Sequence, residues 1–248
     1  MDKPWLVIIG LGEDGVSGLS DASRHALNAA EVVFGGPRHL ALVEAGAQGR
    51  AWPVPFDLAP VLALRGRRVV VLASGDPFWF GAGGSLAPYL AAHLTTGEWQ
   101  AHPAPSTFSR AAARLGWALE GVACHGLHAA PFARMRPDLQ DGARLICLLR
   151  DGAAPQALAG WLDAAGFGAS ALHVLEALGG PRERIRRTTA GGFDLTDIAA
   201  PVAVAIAAVG VGMSRVSGLP DAEFAHDGQI TRRPIRAMTL SALAPRKG

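Results

Sequence analysis

The sequence predicts a two-domain α/β protein with a parallel sheet in the first domain and a mixed sheet in the second. Apolar, strand-like runs alternate with alanine- and leucine-rich helical stretches along the 248 residues, a pattern typical of parallel α/β sheets. Near-continuous apolar runs such as RVVVLAS, residues 68–74, fit strands buried on both faces. The later segment ERIRRTTAGG, residues 183–192, alternates charged and β-branched residues and predicts an exposed strand in a hairpin.

Eight more strands and five helices follow from the apolar and helical patterns. The predicted strands are Leu6–Ile9, Val32–Phe34, Val69–Ala73, Trp99–His102, Val122–Cys124, Arg144–Leu149, Ala171–Leu175 and Val202–Ala207. The predicted helices are Ser20–Ala30, Leu58–Leu64, Gly84–Leu94, Thr107–Leu115 and Ala154–Ala165. IRAMTLSAL, residues 235–243, is predicted as a further exposed strand. Two prolines near residues 103–105 place the domain boundary there, which gives domains 1–104 and 105–248.

Composition and charge narrow the classes of function. Half of the residues are apolar and the net charge is +2; no apolar run predicts a membrane span, and the N-terminus lacks the layout of a signal peptide. Cys124 and Cys147 are too few for a disulfide scaffold and lack metal-site spacing. We therefore expect a cytoplasmic protein without a metal site. Charge is spread rather than striped, so nucleic-acid binding is not expected.

Arginine supplies nearly all of the positive charge, with lysine only at positions 3 and 247. Arginine binds carboxylates and phosphates through two parallel hydrogen bonds, which suits a polyanionic ligand. Genomic base composition is the favoured explanation, because alanine is also abundant. The arginine content alone therefore predicts no ligand.

The stretch WLVIIGLGEDG, residues 5–15, raises the question of a dinucleotide site, because its glycines match G-x-G-x-x-G after a strand. That fingerprint requires a helix that begins at the glycines, but the better N-cap is Ser20, farther along the chain. It also requires an acidic residue at the end of the second strand, which reads FGGP, and Glu31 lies at the wrong end. The glycines predict a sharp turn, and NAD or FAD binding stays an alternative.

A more specific loop is found in VVVLASGDPFWFGAGG, residues 69–84. Ser74, Gly75 and Asp76 follow a buried strand, and small residues there leave room for a ligand against bare backbone. Pro77 fixes the chain direction, and the aromatic run that follows offers flat apolar surface beside a carboxylate. The alternative is a surface turn with a hydrophobic plug.

This loop is one of several motifs that occur in a fixed order. SGDPFWFG fits the pattern S/G-G-D-P-x-x-F-G, and IIGLGEDG is close to G-x-G-P-G-D. HPAPSTFSRAAARLGW, LICLLRDGAAPQALAGWLDAAG, VLEALGGPRERIRRTT and PVAVAIAAVG follow. Together these motifs resemble the tetrapyrrole (corrin/porphyrin) methylases, S-adenosylmethionine-dependent enzymes of the two-domain type called class III. The sequence departs from them at Glu13, where proline is usual, at Arg150, where glycine is common, and in CHGLHAAP, where relatives often show H-G-R.

The segment GLPDAEFAHDGQITRRPIRAMTLSALAP, residues 218–245, narrows the resemblance. It is similar to the end of those members that methylate C5 of precorrin-6Y or cobalt-precorrin-7 in cobalamin synthesis. In longer members a second methylase domain, which performs the decarboxylation with C15 methylation, begins just after this point. The chain is therefore expected to be a separated N-terminal half. The polar residues Asp221, Glu223, His226 and Asp227 are expected to contact a second subunit or to cover the substrate.

The resemblance implies that S-adenosylmethionine, and its product S-adenosylhomocysteine, bind between the domains. The implied cofactor-binding residues are Gly75, Asp76, Phe78, Trp79, Ser106, Thr107, Leu149, Glu176, Ala177 and Leu178. The first four would line the methionine and ribose, the hydroxyl residues would supply hydrogen bonds, and the last four would form a wall for the adenine. Purely structural roles are the alternatives: Asp76 as a turn cap, Thr107 as a helix N-cap and Leu149 as core.

The implied substrate is a tetrapyrrole with many carboxylates, for which arginines near the cleft are the expected partners. The predicted substrate-binding residues are Gly12, Glu13, Arg110 and Arg114. The two arginines lie four apart on one helix face, and a solvated face is the alternative. Methyl transfer from a sulfonium to an electron-rich carbon needs no enzyme nucleophile, so no catalytic residue is assigned. If a base is needed, the candidates are His125, His128 and His226.

These observations predict a C-methyltransferase that acts at C5 of a late corrin precursor, and relatives imply a homodimer. Another class III methylase, acting on an earlier precorrin or on rRNA ribose, is the near alternative. A nicotinamide-dependent oxidoreductase stays open because of the opening glycines. A non-catalytic half that delivers the macrocycle to a partner is a further alternative.

Overall fold

Two five-stranded sheets organise the residues that the computed structural model describes, which are 4–95, 97–214 and 216–245. Sheet A contains β1 (Leu6–Leu11), β2 (Val32–Gly35), β3 (Gly49–Ala51), β4 (Val69–Ser74) and β5 (Trp99–His102). Its order is β3-β2-β4-β1-β5, and every neighbouring pair is parallel. The predicted parallel sheet is therefore confirmed.

Sheet B is mixed, as predicted. It contains β6 (Val122–Gly126), β7 (Arg144–Leu149), β8 (Ala171–Glu176), β9 (Arg184–Thr189) and β10 (Val202–Ala207). Its order is β6-β7-β10-β8-β9; β6 and β7 are parallel, whereas the other neighbours are antiparallel. The start of β10 consequently lies beside the ends of both β7 and β8, since Val202 pairs with Leu149 on one side and with Glu176 on the other.

The described helices are α1 (Asp21–Ala29), α2 (Pro37–Leu42), α3 (Ala59–Leu62), α4 (Ala82–His93), α5 (Thr107–Leu115), α6 (Ala154–Leu162) and α7 (Arg233–Leu243). The five predicted helices all form. Ser20 caps α1, as predicted, by accepting a hydrogen bond from the Ser23 backbone N–H at 3.2 Å. Ser106 rather than Thr107 caps α5, through the Ser109 N–H at 3.1 Å.

The prediction of a strand at IRAMTLSAL is wrong, because these residues form most of α7. Ile235 and Thr239 suggested a strand, but Pro234 in the first turn favours a helix start and the remaining residues are good helix formers. Arg236 fixes the helix by donating to the carbonyls of Thr231 and Leu219. No helix in the described ranges is long and apolar enough to cross a membrane.

The central strands of sheet A are buried on both faces. Ile8 and Val71 pack into one apolar cluster with α4, and Ile9 and Leu72 pack into another with α1. All four side chains are fully buried, which matches the continuous apolar runs in the sequence. The packing fixes the strand ends, and therefore the loops that follow them.

The helix after the predicted domain boundary packs on sheet B. Phe108 and Ala111 of α5 share a buried cluster with Ile146 and Leu175, while α6 covers the other face. The boundary between residues 104 and 105 falls between β5 and α5. The division into domains 1–104 and 105–248 stays a prediction, which the packing of α5 supports.

Candidate functional site

A cavity of about 520 Å³ opens where the ends of the sheet A strands face sheet B. Because β1 and β4 are adjacent and parallel, Leu11 and Ser74 lie side by side at their carboxyl ends, and both line the cavity. Leu149 and Val202, which are also paired neighbours, line it from sheet B. Carboxyl ends of parallel strands are the usual place for a ligand in α/β proteins.

The bend after β4 is tightly tied to two neighbouring segments. The Gly75 N–H donates to the Leu11 carbonyl at 2.9 Å, and the Gly75 carbonyl accepts from the Ala104 N–H at 3.2 Å. Gly75 has a φ of +55°, and a Cβ there would lie 2.8 Å from the Ser106 Cα. Glycine is therefore required, and the bend presents Ser74 and Gly75 to the cavity.

The residues after this bend are placed differently from the prediction. An Asp76 carboxylate oxygen accepts from the Phe78 N–H at 2.9 Å, which is the turn-capping alternative. Trp79 packs on Phe108 with ring centroids 4.9 Å apart. Asp76, Phe78 and Trp79 are absent from the cavity lining, whereas Phe80 is part of it. A ligand role for those three residues stays a prediction.

Of the four predicted residues on or next to α5, two line the cavity and two do not. Thr107 and Arg110 line the cavity. Ser106 is buried and acts as the helix cap. Arg114 points elsewhere and makes a two-point ion pair with Glu183, at 2.6 and 3.1 Å.

Of the four residues predicted to form the adenine wall, two line the cavity and two lie behind it. Leu149 and Leu178 line the cavity. Ala177, with a φ of +45°, donates its N–H to the Pro201 carbonyl at 2.9 Å and so joins the turn after β8 to the start of β10. Glu176 lies beneath this turn, with its side chain 2% exposed.

Arginines hold the buried Glu176 carboxylate in its ionised form. Burial raises its pKa, but hydrogen bonds from Arg184, from the Ala199 N–H and from Arg186 outweigh burial, so the net pKa of Glu176 is lowered. The distances are 2.7 Å to Arg184 Nη2, 2.7 Å to the Ala199 nitrogen and 3.0 Å to Arg186 Nη2. The carboxylate therefore anchors the loops that carry Leu178 and Val202.

The first loop brings charged groups to the cavity. Gly12 and Glu13 line it, and Glu13 is buried, with its side chain 8% exposed. Glu13 forms an ion pair with Arg38 and lies 3.7 Å from Arg182. Arg110 packs so closely on Gly12 that a Cβ there would lie 2.7 Å from its Nη2. Arg110 also donates to Asp14 at 2.8 Å.

Sequence reasoning missed the contribution of the turn after β2. Arg38 Nη2 donates to Ser74 Oγ at 2.8 Å, and His39 Nε2 also lies 2.8 Å from this oxygen. Burial, and then the charge of Arg38, lower the pKa of His39 to about 4, so the imidazole is neutral at pH 7. The signal in the sequence was FGGPRH directly after a buried strand. Other cavity residues that were not predicted are Trp52, Phe56, Ser85, Pro201 and Ala203.

The candidate bases occupy three different places. His128 lines the cavity. His125 lies 3.3 Å from Asp138, with its side chain 12% exposed, and burial is the main reason that its pKa is lowered. His226 Nδ1 accepts from the Gly228 N–H at 3.0 Å in an exposed turn. The described residues contain no group of three or more His, Cys, Asp or Glu side chains that could hold a metal ion.

The cavity has an apolar side and a mixed side. Sheet B contributes leucine, valine and alanine, whereas the sheet A half contributes Leu11, Leu72 and two aromatic rings as well as glycine backbone, Ser74 and the charged residues around Glu13. The opening glycines do not begin an α-helix, because Gly15 begins a short 3₁₀ turn, Gly15–Gly18, that precedes α1. The geometry expected of a dinucleotide fingerprint is therefore not met.

Comparisons with known proteins agree with this architecture. The sequence model of the family described as Tetrapyrrole (Corrin/Porphyrin) Methylases matches residues 5–194. A Sinorhizobium relative named precorrin-6Y C(5,15)-methyltransferase [decarboxylating] is 47% identical over 99% of this chain. The chain covers 60% of that relative's length, so it spans about three fifths of the longer protein.

Two solved structures share the fold. The Archaeoglobus fulgidus cobalamin biosynthesis precorrin-6Y methylase matches with a TM-score of 0.57 and 24% identity, over 83% of this chain and 97% of the other. The uroporphyrin-III C-methyltransferase of Thermus thermophilus, solved as a complex with S-adenosylhomocysteine, matches with a TM-score of 0.62 and 20% identity, over 81% of this chain and 91% of the other. At these sequence identities, the similarity shows a shared fold only.

Proposed function

The chain belongs to the tetrapyrrole (corrin/porphyrin) methylases, and from that membership we propose that it transfers a methyl group from S-adenosylmethionine to C5 of a late corrin precursor of the precorrin-6Y type, in cobalamin biosynthesis. The relative that is 47% identical carries this activity in its name. The segment 218–245 supports the C5 assignment through its resemblance to the same subgroup.

The observation that carries the proposal is one cavity lined by predicted residues of both sheets. Gly75, Thr107, Leu149 and Leu178 all line it, although they are far apart in the sequence. Its volume of about 520 Å³ falls within the range of about 300–1,000 Å³ usual for small-molecule sites. An adenosyl compound fits a site with one apolar wall and one polar, glycine-lined edge.

The lining residues suit the two ends of that cofactor. Leu149, Leu178 and Val202 offer an apolar wall at the ends of three adjacent strands, where an adenine ring would pack. Gly75 and the Thr107 hydroxyl would hold the ribose and methionine end. S-adenosylmethionine held there would supply an electrophilic methyl group on a sulfonium, with a neutral thioether as the leaving group.

The residues of the chain then contribute by positioning the two reactants, and not by forming a covalent bond with either. The acceptor carbon is electron-rich, so the protein has only to hold both molecules in line and to keep water away. Such positioning lowers a barrier by about 7–11 kcal/mol at most. The tight backbone contacts of Gly75 make the bend a rigid reference for this alignment. His39 and His128 both line the cavity, and His128 is the one among the predicted bases that would accept a proton from the methylated carbon, if one is released.

We also infer that the chain works in the cytoplasm as a homodimer, alongside a second domain that decarboxylates and methylates C15. The named relatives are longer than this chain and carry both activities in their names. Helix α7 supports an assembly, because Ile235, Met238 and Leu243 are 55–70% exposed on its surface.

Turnover with a labelled donor tests the proposed function. The protein is incubated with precorrin-6Y and S-adenosylmethionine that carries a ¹³C-methyl group, and the product is examined by mass spectrometry and NMR. The proposal predicts a product with one added methyl group, attached at C5. Binding of the macrocycle without turnover would favour the carrier alternative, and methylation at another carbon would favour another enzyme of this family.

A further inference from the structure

Arg38 lies at the polar end of the cavity with a preorganised guanidinium. Its Nη1 donates to Glu13, and its Nη2 donates to Ser74 Oγ at 2.8 Å and lies 2.9 Å from His39 Nε2. The side chain nevertheless stays 36% exposed. An arginine that is held by fixed partners and still reaches the ligand space loses little entropy when it binds an anion.

The charges around Arg38 leave a positive excess. The Glu13 carboxylate lies between two arginines, Arg38 and Arg182, so this group of three carries one net positive charge. His39 adds no charge at neutral pH, because burial lowers its pKa to about 4. The polar end of the cavity therefore favours an anionic group over a neutral one.

Two aromatic rings, tilted against each other, also line the cavity. Trp52 and Phe56 both line it, with ring centroids 4.9 Å apart, and Trp52 is backed by Phe34 at 5.5 Å. Aromatic rings bind the face of a flat conjugated ligand well. A cavity that is lined by aromatic rings and by Arg38 fits a conjugated macrocycle that carries carboxylate arms.

The arginines predicted from the sequence are less available. Arg114 is paired with Glu183 outside the cavity lining. Arg110 lines the cavity, but its side chain is 20% exposed, and its guanidinium is packed between Gly12 and Gly179 and paired with Asp14. The Arg110 side chain therefore connects the loop after β1 with the turn after β8.

We propose that Arg38 binds a carboxylate arm of the macrocyclic substrate, and that Glu13 is the positioning residue that holds Arg38 in place. This inference rests on the proposed function for the identity of the substrate. Ser74 completes the arrangement by accepting a hydrogen bond from Arg38. The departure from the family pattern at Glu13 is thereby explained, since proline could not hold an arginine.

Binding of a stable porphyrin tests the assignment without the need for turnover. Uroporphyrin, which carries carboxylate arms around the ring, is titrated into the wild-type chain and into Arg38→Gln, Arg38→Lys and Arg65→Gln. Arg65 is the matched control, because it makes a two-point ion pair with Glu98 outside the cavity lining. S-adenosylhomocysteine is titrated into the same proteins.

Arg38→Gln should bind uroporphyrin about tenfold more weakly, and Arg38→Lys should fall between the two because it keeps the charge but loses the fork geometry. Arg65→Gln should match the wild type, and every variant should bind S-adenosylhomocysteine within about twofold of it. The inference is overturned if Arg38→Gln binds uroporphyrin like the wild type, if it loses both ligands equally, or if the wild type binds a cationic porphyrin just as well. A wild type that binds uroporphyrin through Arg38 but not S-adenosylhomocysteine would contradict the proposed function alone.

Glu13→Gln separates positioning from charge. If Glu13 acted only through its charge, its removal would make the site more positive and uroporphyrin would bind more tightly. Positioning predicts the opposite, a several-fold weaker affinity, because Arg38 loses its anchor. Tighter or unchanged binding of Glu13→Gln would overturn the positioning role.

Discussion

Gly75 and Ser106 approach so closely that a Cβ on Gly75 would lie 2.8 Å from the Ser106 Cα. This contact joins the bend after β4, in sheet A, to the N-cap residue of α5, a helix that packs on sheet B. The cavity is therefore shaped by a backbone contact between the two halves of the chain, and its geometry depends on the absence of a side chain at residue 75.

Gly75→Ala should weaken the binding of S-adenosylhomocysteine by about tenfold or more. The new Cβ would push against Ser106 and would also occupy a backbone conformation, φ +55°, that alanine rarely adopts. Isothermal titration measures the affinity, and denaturant unfolding should show a loss of about 1–3 kcal/mol. Gly66→Ala is the matched control, because Gly66 also has a positive φ but no atom within 4 Å of its added Cβ. Equal effects on binding from both variants would show that the close contact is irrelevant.

Thr107→Val should reduce the affinity for S-adenosylhomocysteine by about tenfold while leaving stability nearly unchanged. Thr107 lines the cavity, and the neighbouring Ser106 provides the helix cap, so the Thr107 hydroxyl is free to serve a ligand. Thr107→Ser keeps the hydroxyl and should bind like the wild type. If Thr107→Val also binds normally, the hydroxyl is not a cofactor contact.

Glu176→Gln should lower the free energy of unfolding at pH 7 by about 2 kcal/mol. This is less than the roughly 3–5 kcal/mol for breaking a fully buried ion pair, since Arg184 is 42% exposed and can be rehydrated. Denaturant unfolding at pH 7 measures the loss.

The cost of Glu176→Gln should also depend on pH. Because the folded-state pKa of Glu176 lies below its ordinary value of 4.5, its stabilisation is present above that value and is lost as the pH falls through the folded-state pKa. The difference between wild type and variant should therefore shrink on acidification from about pH 5 to pH 3. A difference that stays constant would mean that folding does not lower the pKa of Glu176.

The stability of the wild type should rise with pH between about 4 and 6.5 by more than that of His39→Gln. In this window the unfolded chain binds a proton at His39, whose ordinary pKa is 6.5, while the folded chain, with a pKa of about 4, does not. The state that binds more protons is the unfolded one, so rising pH favours folding. Parallel stability curves for the two proteins would show that His39 is not buried as the structure has it.

Much of the fold could be predicted because local patterns determine it. Continuous apolar runs such as Val69–Ala73 were correctly identified as buried strands, and Ser20 was identified as the cap of α1. Helix α7 was missed, although Pro234 in its first turn is a local signal for a helix start, because the β-branched Ile235 and Thr239 favour a strand.

The candidate cavity was predictable where a motif places residues close to the end of a strand or at the start of a helix. Gly75, Thr107, Leu149 and Leu178 belong to such motifs, and the structure brings them to one cavity. Arg38 was missed because its position depends on sheet order. β2 lies next to β4, which lies next to β1, and this order brings the turn after β2 against Ser74 and Glu13. Nothing local in the sequence specifies the order.

A crystal structure of the protein with S-adenosylhomocysteine is the measurement that tests the account most directly. We expect the adenine to lie against Leu149 and Leu178, and the homocysteine end to lie beside Gly75 and Thr107. Density for the ligand at any other place, or a cavity closed by movement of the bend at Ser74–Pro77, would contradict it.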